Sequence, residues 1–205
     1  MQPWYERTRR WAQTNFTEDD PAGADLSFWR EQWRRNRAQG VIINCGGIVA
    51  YYPSKYPLHY RAETLGERDF FGEVNALARA EGMTVIARMD VNRVAEDVTK
   101  AHPEWLCRDR TDAPIRSNER YYVCVNSGYY HTFVPDILRE IIELYHPDGF
   151  ADNNWKGLDR RTICYCENCR NGFVAYSGKA LPEVANWSDA SYGDWVRWNY
   201  RIRLE

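Results

Sequence analysis

The sequence lacks the features that would place the protein in or across a membrane. No run of about 18 apolar residues occurs among its 205 residues, so no transmembrane helix is expected. The first residues, 1–7, also lack the apolar segment of a signal peptide. As written, the protein is therefore expected in the cytoplasm, and a secreted or periplasmic location would require that a signal had been removed.

An excess of one charge sign is also missing. The 27 basic residues are balanced by 29 acidic ones, for a formal net charge of -2. The densest basic run, Arg30–Arg37, is interrupted by Glu31, Trp33 and Asn36, which is typical of a solvated helix face. No nucleic-acid partner and no membrane partner is expected.

The glycine-rich loop of a dinucleotide-binding fold does not occur either. No Gly-x-Gly-x-x-Gly follows a predicted strand, and the sequence Cys45-Gly46-Gly47 is too short a match. No organic cofactor is therefore expected.

Strand and helix patterns alternate along most of the chain. Residues 1–24 are predicted to form an irregular N-terminal arm. Helices are predicted for residues 25–37, 67–81, 132–145, 167–176 and 192–205, and buried strands for residues 41–45, 84–90, 121–126 and 149–152. This alternation predicts an α/β fold with a parallel sheet.

Polar residues mark the end of every predicted strand, which favours a (β/α)8 TIM barrel over an open sheet. They are Asn44, Arg88 with Asp90, Asn126, and Asp152 with Asn154. A barrel typically needs eight strands and about 250 residues. Residues 25–205 are therefore expected to be the N-terminal part of a barrel domain, with the first four or so βα units, and either the missing C-terminal half or a second copy is the expected protein partner.

Three thiols lie within six residues in Cys164-x-Cys166-x-x-Cys169, a spacing that suits a structural zinc ion if a fourth ligand comes from elsewhere. Free thiols, or a disulfide in an extracytoplasmic compartment, are the alternatives. Cys45 and Cys124 fall inside apolar strands and are interpreted as small buried residues.

Several of these segments together resemble known glycoside hydrolases. Residues 150–155, with the cysteine motif and Phe173, resemble the fourth-strand region of the family 42 glycoside hydrolases. With residues 46–54, 87–90 and 102–105 added, the chain is similar to the hypothetical glycosyl hydrolase 6 family. The resemblance implies a barrel enzyme that hydrolyses O-glycosidic bonds of an oligosaccharide or polysaccharide, with β-galactosidase-like activity, and it implies Cys107 as the fourth metal ligand.

One position departs from the family 42 pattern, since Asn154 aligns with the general acid/base glutamate. An amide cannot transfer the proton, so Asp152 and Asp90 become the candidate catalytic residues. Asp152 could instead be a structural carboxylate, and Arg88 with Asp90 a buried ion pair at the barrel rim. The alternative functions are a catalytically silent carbohydrate-binding barrel and a metal-dependent hydrolase that uses Asp90, His59 and Asp152.

The chain is rich in aromatic residues, which form 15% of it. Those near strand ends could stack on sugar rings, while amide and charged groups bind hydroxyls; packing of loops over the barrel mouth is the competing interpretation. The predicted substrate-binding residues are Asn44, Tyr51, Tyr52, Lys55, His59, Arg88, Asn126, Asn153, Asn154 and Trp155.

Overall fold

The computed structural model describes residues 2–152, 158–159 and 161–204. Over these residues the chain forms two compact units, one of Met1–Val91 with Asp136–Asn153 and one of Asn92–Pro135 with Asn154–Glu205. Within the described ranges, no helix is both long and apolar enough to cross a membrane. The helices and strands follow in the order α1 (Trp4–Arg7), β1 (Trp11–Gln13), α2 (Leu26–Arg35), β2 (Gly40–Gly47), α3 (Phe70–Ala80), β3 (Thr84–Asp90), β4 (Arg93–Val94), α4 (Glu96–Ala101), β5 (Arg116–Ser117), β6 (Arg120–Tyr122), α5 (Val134–Tyr145), β7 (Gly149–Asp152), α6 (Glu167–Ser177) and α7 (Tyr192–Arg201).

A four-stranded parallel sheet organises the first unit, with the strand order β1-β2-β3-β7. Strands β2 and β3 are almost continuously apolar because they are covered on both faces, as parallel strands usually are. The predictions of an α/β fold and of a parallel sheet are therefore confirmed.

The helices of this unit begin where the sequence places their caps. The Asp25 carboxylate accepts hydrogen bonds from the backbone N–H groups of Ser27 and Phe28 at the start of α2. Asp69 caps α3 in the same way, and this helix ends before Gly82, whose φ of 70° suits a residue without a side chain.

Two predicted segments are corrected. The N-terminal arm is not irregular throughout, since β1 pairs with β2 in the sheet; three residues are too few to show a strand periodicity. Residues 121–126 do not form a parallel strand. The chain there contributes β6 to an antiparallel sheet, and Cys124 instead bonds the backbone of Trp105.

The second unit has a small three-stranded antiparallel sheet in the order β4-β6-β5. Its core combines cysteines with aromatic side chains of α6 and α7, among them Phe173, Trp195 and Trp198. The thiol motif at the start of α6 therefore lies within a packed core.

A β-bulge in β2 interrupts its regular pairing with β3 near the carboxyl ends of the two strands. Asn44 pairs with Arg88 and Gly46 pairs with Met89, so Cys45 is the extra residue. Gly47 follows with a φ of 101°, and a Cβ atom built there would lie 2.3 Å from the Asp90 carbonyl oxygen. Only glycine fits this close approach without strain.

We expect Gly47→Ala to lower the free energy of unfolding by about 2 kcal/mol or more. The new Cβ would clash with the Asp90 carbonyl oxygen, and alanine is strained at the positive φ of this position. Urea denaturation measures the change. Gly23→Ala is the matched control, since a Cβ there meets nothing within 4 Å, and its effect is expected to stay within about 0.5 kcal/mol. Equal losses in the two variants would contradict the interpretation of Gly47.

Candidate functional site

Polar side chains line one face of the parallel sheet at its carboxyl end. The register places Asn44 of β2 beside Arg88 of β3, and Asp90 is two residues further along the same strand. Because side chains alternate along a strand, Arg88 and Asp90 share a face. The structure therefore brings together three of the residues predicted from the sequence.

The Arg88 guanidinium is held in place from two sides. Its Nη2 lies 3.2 Å from Asp90 Oδ2, and its Nη1 donates to Asn15 Oδ1 and, at 3.4 Å, to the Thr14 carbonyl oxygen. Arg88 is 6% exposed, whereas the Asp90 side chain is 20% exposed. The ion pair considered from the sequence is thus present, and its carboxylate still reaches solvent.

Asn15 was missed by the sequence analysis because it lies in the segment predicted to be irregular. It follows β1 by two residues, so its position depends on a strand too short to predict. We therefore define the polar row as Asn15, Asn44, Arg88 and Asp90.

Three buried polar atoms near the polar row have no hydrogen-bond partner among the described residues. They are Thr14 Oγ1, Asn44 Oδ1 and Arg88 Nε. Buried polar atoms are bonded in the great majority of cases. Such atoms also occur elsewhere among the described residues, for example at Asn75 and Arg203, so they do not by themselves mark a ligand site.

The two candidate catalytic carboxylates are not brought together. The register pairs Asp152 with Met89, one residue before Asp90. Since successive residues point to opposite faces, Asp152 lies on the Met89 face and Asp90 on the Arg88 face. Asn153, Asn154 and Trp155, predicted as sugar contacts, lie outside the described residues.

The loop after β2 holds the remaining predicted contacts, and most of them are buried. Tyr51 is 4% exposed, and its hydroxyl lies 3.4 Å from the carbonyl oxygens of Phe16 and Thr17. Tyr52 is fully buried, and burial raises its pKa. Lys55 extends its amine into solvent, 4.0 Å from Glu143.

A buried carboxylate that the sequence analysis missed fastens this loop. Glu140 of α5 accepts hydrogen bonds from the Tyr52 hydroxyl at 2.7 Å, the Ser54 hydroxyl at 2.6 Å and the Lys55 backbone N–H at 2.7 Å. Glu140 is 3% exposed. Its spacing is a signal that could have found it, because Glu140 follows Ile137 by three residues and therefore lies on the apolar stripe of α5, where a glutamate is unusual.

His59 is buried beside the bulge. Its Nε2 accepts the Gly47 N–H at 3.0 Å, and its Nδ1 lies 3.4 Å from the Tyr52 hydroxyl. Burial lowers the pKa of His59 from 6.5 to about 4, although the negative charge of Glu140 acts to raise it. Because both ring nitrogens are engaged within the protein, His59 does not join Asp90 and Asp152 in a metal site.

Four thiols of the second unit form a compact group. The Sγ atoms of Cys124, Cys164, Cys166 and Cys169 all lie within 4.8 Å of one another. Cys124 Sγ is 3.3 Å from Cys169 Sγ and 3.5 Å from Cys166 Sγ. Cys124 was interpreted as a packing residue, so this interpretation is corrected; the apolar residues around it resemble a strand and obscure its role.

Cys107, which the resemblance implied as the fourth ligand, lies next to this group. Its side chain is buried and belongs to the same core cluster as the four thiols. Hydrogen bonding lowers the pKa of the Cys164 thiol well below its usual range, with the largest contribution from Cys107 and the next largest from Cys124.

The group of four has the dimensions of a tetrahedral metal site. Metal–sulfur bonds of about 2.3 Å place sulfur atoms about 3.8 Å apart, which is compatible with the separations found here. Asn126 Nδ2 donates to Cys169 Sγ at 3.3 Å, and the Asn126 N–H donates to Cys124 Sγ at 3.4 Å. Asn126, which the sequence predicts as a sugar contact, thus donates hydrogen bonds to two of the thiols.

Comparison with known families agrees with this architecture. The model of the hypothetical glycosyl hydrolase 6 family matches residues 29–153, well over half of the chain. The chain belongs to this family. The match covers the polar row from Asn44 to Asp90, the loop with His59, and Glu140.

Two curated relatives of this hypothetical glycosyl hydrolase 6 chain are β-galactosidases. BgaH of Haloferax lucentense is 25% identical over 122 residues, which are 54% of this chain and 18% of that protein. LacZ of Heyndrickxia coagulans is 24% identical over 179 residues, 82% of this chain and 25% of that protein. The chain thus spans a quarter or less of these relatives.

Solved structures share the fold. The α-L-fucosidase isoenzyme 2 from Paenibacillus thiaminolyticus matches with a TM-score of 0.70 and 20% identity, over 95% of this chain and 28% of that one. A β-galactosidase from Marinomonas ef1 matches with a TM-score of 0.54 and 16% identity, over 82% and 24%. At these low sequence identities, the similarity concerns the fold alone.

The buried His59 predicts a pH dependence of stability. Between about pH 4 and pH 6.5 the unfolded chain binds a proton that the folded protein excludes. The free energy of unfolding should therefore fall as the pH is lowered through this window, by up to about 1.4 kcal/mol per pH unit, and this contribution should be complete above pH 6.5.

Urea denaturation near pH 7 and near pH 5, on the wild type and on His59→Gln, measures this contribution. In His59→Gln the free energy of unfolding should change less between the two pH values. In His131→Gln, at an exposed histidine, it should change as much as in the wild type. Identical slopes in the wild type and His59→Gln would refute the prediction.

Proposed function

We propose that this chain is the N-terminal part of a (β/α)8 glycoside hydrolase that hydrolyses O-glycosidic bonds. Its family membership supports the reaction class, and the polar row supports the position of the site. Barrel enzymes place their active sites at the carboxyl ends of the strands, which is where Asn44, Arg88 and Asp90 lie.

Asp90 is the carboxylate that we assign to the reacting sugar. The ion pair with Arg88 fixes its direction, while Asn15 and Asn44 offer amide groups to sugar hydroxyls. Glycosidases normally use two carboxyls across the scissile bond. Since Asp152 belongs to the other face, we expect the second carboxyl from a part of the protein beyond residue 205.

The substrate that we propose is a β-galactoside within an oligosaccharide or polysaccharide. Two β-galactosidases among the relatives support this choice. Asn153, Asn154 and Trp155 remain predicted contacts of the sugar, at the end of β7.

The second unit is proposed to carry one structural zinc ion. Cys124, Cys164, Cys166 and Cys169 would hold it, and four thiolates leave no open position for water. The ion would therefore stabilise this unit and take no part in hydrolysis.

A catalytically silent carbohydrate-binding barrel is the second candidate function. Asn154, at the position of the family 42 acid/base glutamate, is the observation that favours it. Binding without turnover would distinguish this candidate from the enzyme.

Hydrolysis of aryl β-galactosides by the full-length protein, with aryl α-fucosides in parallel, tests the proposed enzyme. Asp90→Asn is expected to lower kcat by about 10²-fold or more, because a carboxylate is removed from the reacting centre. Asp97→Asn removes the same charge from the exposed face of α4 and should leave the rate unchanged. Saturable sugar binding with no turnover in the wild type would favour the silent barrel, and the absence of both would refute both functions.

Metal analysis of purified protein tests the thiol site, and we expect about one zinc ion per chain. Cys124→Ser should lose the metal, whereas Cys107→Ser should retain it, because only Cys124 belongs to the compact group. Cys45→Ala, at a thiol in β2, is the control and should leave the metal content unchanged. If Cys124→Ser kept the metal and Cys107→Ser lost it, the fourth ligand would be Cys107, as the family resemblance implies.

A further inference from the structure

A continuous series of hydrogen bonds links helix α5 to the polar row. It begins at Glu140, which receives the Tyr52 hydroxyl at 2.7 Å. It continues from Tyr52 to His59 Nδ1 at 3.4 Å and from His59 Nε2 to the Gly47 N–H at 3.0 Å. We call this series the Glu140 relay.

The donors and acceptors of the relay have one consistent direction. The single hydroxyl proton of Tyr52 points to the Glu140 carboxylate, so the Tyr52 oxygen is an acceptor towards His59. His59 Nδ1 must then carry the ring proton, which leaves Nε2 free to accept the Gly47 N–H. A neutral imidazole fits this arrangement, and the lowered pKa of His59 is consistent with it.

The relay ends on the backbone that positions Asp90. Gly47 pairs with Asp90 in the sheet register. The Ile48 N–H donates to the Asp90 carbonyl oxygen at 2.6 Å. His59 also packs on the bulge itself, since a Cβ at Gly46 would lie 2.9 Å from its Cε1 atom. His59 therefore lies against the chain at both Gly46 and Gly47, directly after the bulge.

We propose that His59, Tyr52 and Glu140 are positioning residues for the carbohydrate site, and that they act by fixing Gly47 and Ile48 against Asp90. None of the three needs to touch the substrate, and the burial of all three agrees with this. The proposal rests on the proposed function for its effect on catalysis, but the relay itself is a property of the unliganded protein.

The first test is nuclear magnetic resonance of the wild-type protein labelled with ¹⁵N. The expected result is a His59 ring that is protonated on Nδ1 and unprotonated on Nε2 near pH 7. Tyr52→Phe, which removes the central hydroxyl and retains the ring, should leave the His59 Nδ1–H without its acceptor and shift the amide signals of Gly47 and Asp90. A ring protonated on Nε2 in the wild type, or unmoved amide signals in a folded Tyr52→Phe, would overturn the relay.

The second test is the kinetics of the same variants on the aryl glycoside that the wild type hydrolyses best. Tyr52→Phe and Glu140→Gln are expected to lower kcat by about tenfold or more while KM changes little, because a small displacement of Asp90 affects the transition state most. Glu143→Gln is the control, since this glutamate lies on the same helix with its side chain 66% exposed, and both constants should stay at wild-type values.

The two tests separate the relay from the proposed function. If the wild type hydrolyses no glycoside, the proposed function fails, while the ring tautomer and the amide shifts still decide the relay. If Glu140→Gln does not fold, Tyr52→Phe provides the decisive variant. Wild-type kcat in a folded Tyr52→Phe would overturn the positioning role.

Discussion

The contact between the backbone of Gly47 and the backbone of Asp90 is the constraint on which the site depends. It forces glycine at one position, places a bulge at Cys45, and sets the direction in which the chain leaves β2. The loop that follows is held at two places in its first half, by Glu140 of α5 at residues 52–55 and by the bond from His59 back to Gly47. Strand ends of this kind give a rigid support on which polar groups can be held within tenths of an ångström.

Much of the first unit could be predicted from the sequence because its elements obey simple periodicities. The apolar runs of β2 and β3 and the capped helices α2 and α3 are strong local patterns. Strand β1 could not be predicted, because three residues in a polar segment become a strand only when β2 is present beside them. Asn15 was missed with it, and the polar row was therefore incomplete in the prediction.

Three other features of the structure were not predicted for a different reason: the position of Asp152 on the opposite face from Asp90, the thiol contacts of Cys124 and the burial of Glu140. Pairing of Asp152 with Asp90 required a register, and a sequence specifies which residues form a strand more readily than how that strand aligns with its neighbour. Cys124 and Glu140 each sit in a pattern with an ordinary explanation, an apolar run and a helix face. Their roles depend on partners 40 or more residues away in the chain, such as Cys169 and Tyr52.

The order of the strands in the parallel sheet has a consequence for how the protein forms during synthesis. Strands β1, β2, β3 and β7 are neighbours in the same order in which they leave the ribosome. Each new strand can therefore pair with one that is already in place, and no strand has to insert between two others. Only the last addition is delayed, until residues 92–135 have been made, so β3 waits longer for its next neighbour than β1 or β2 does.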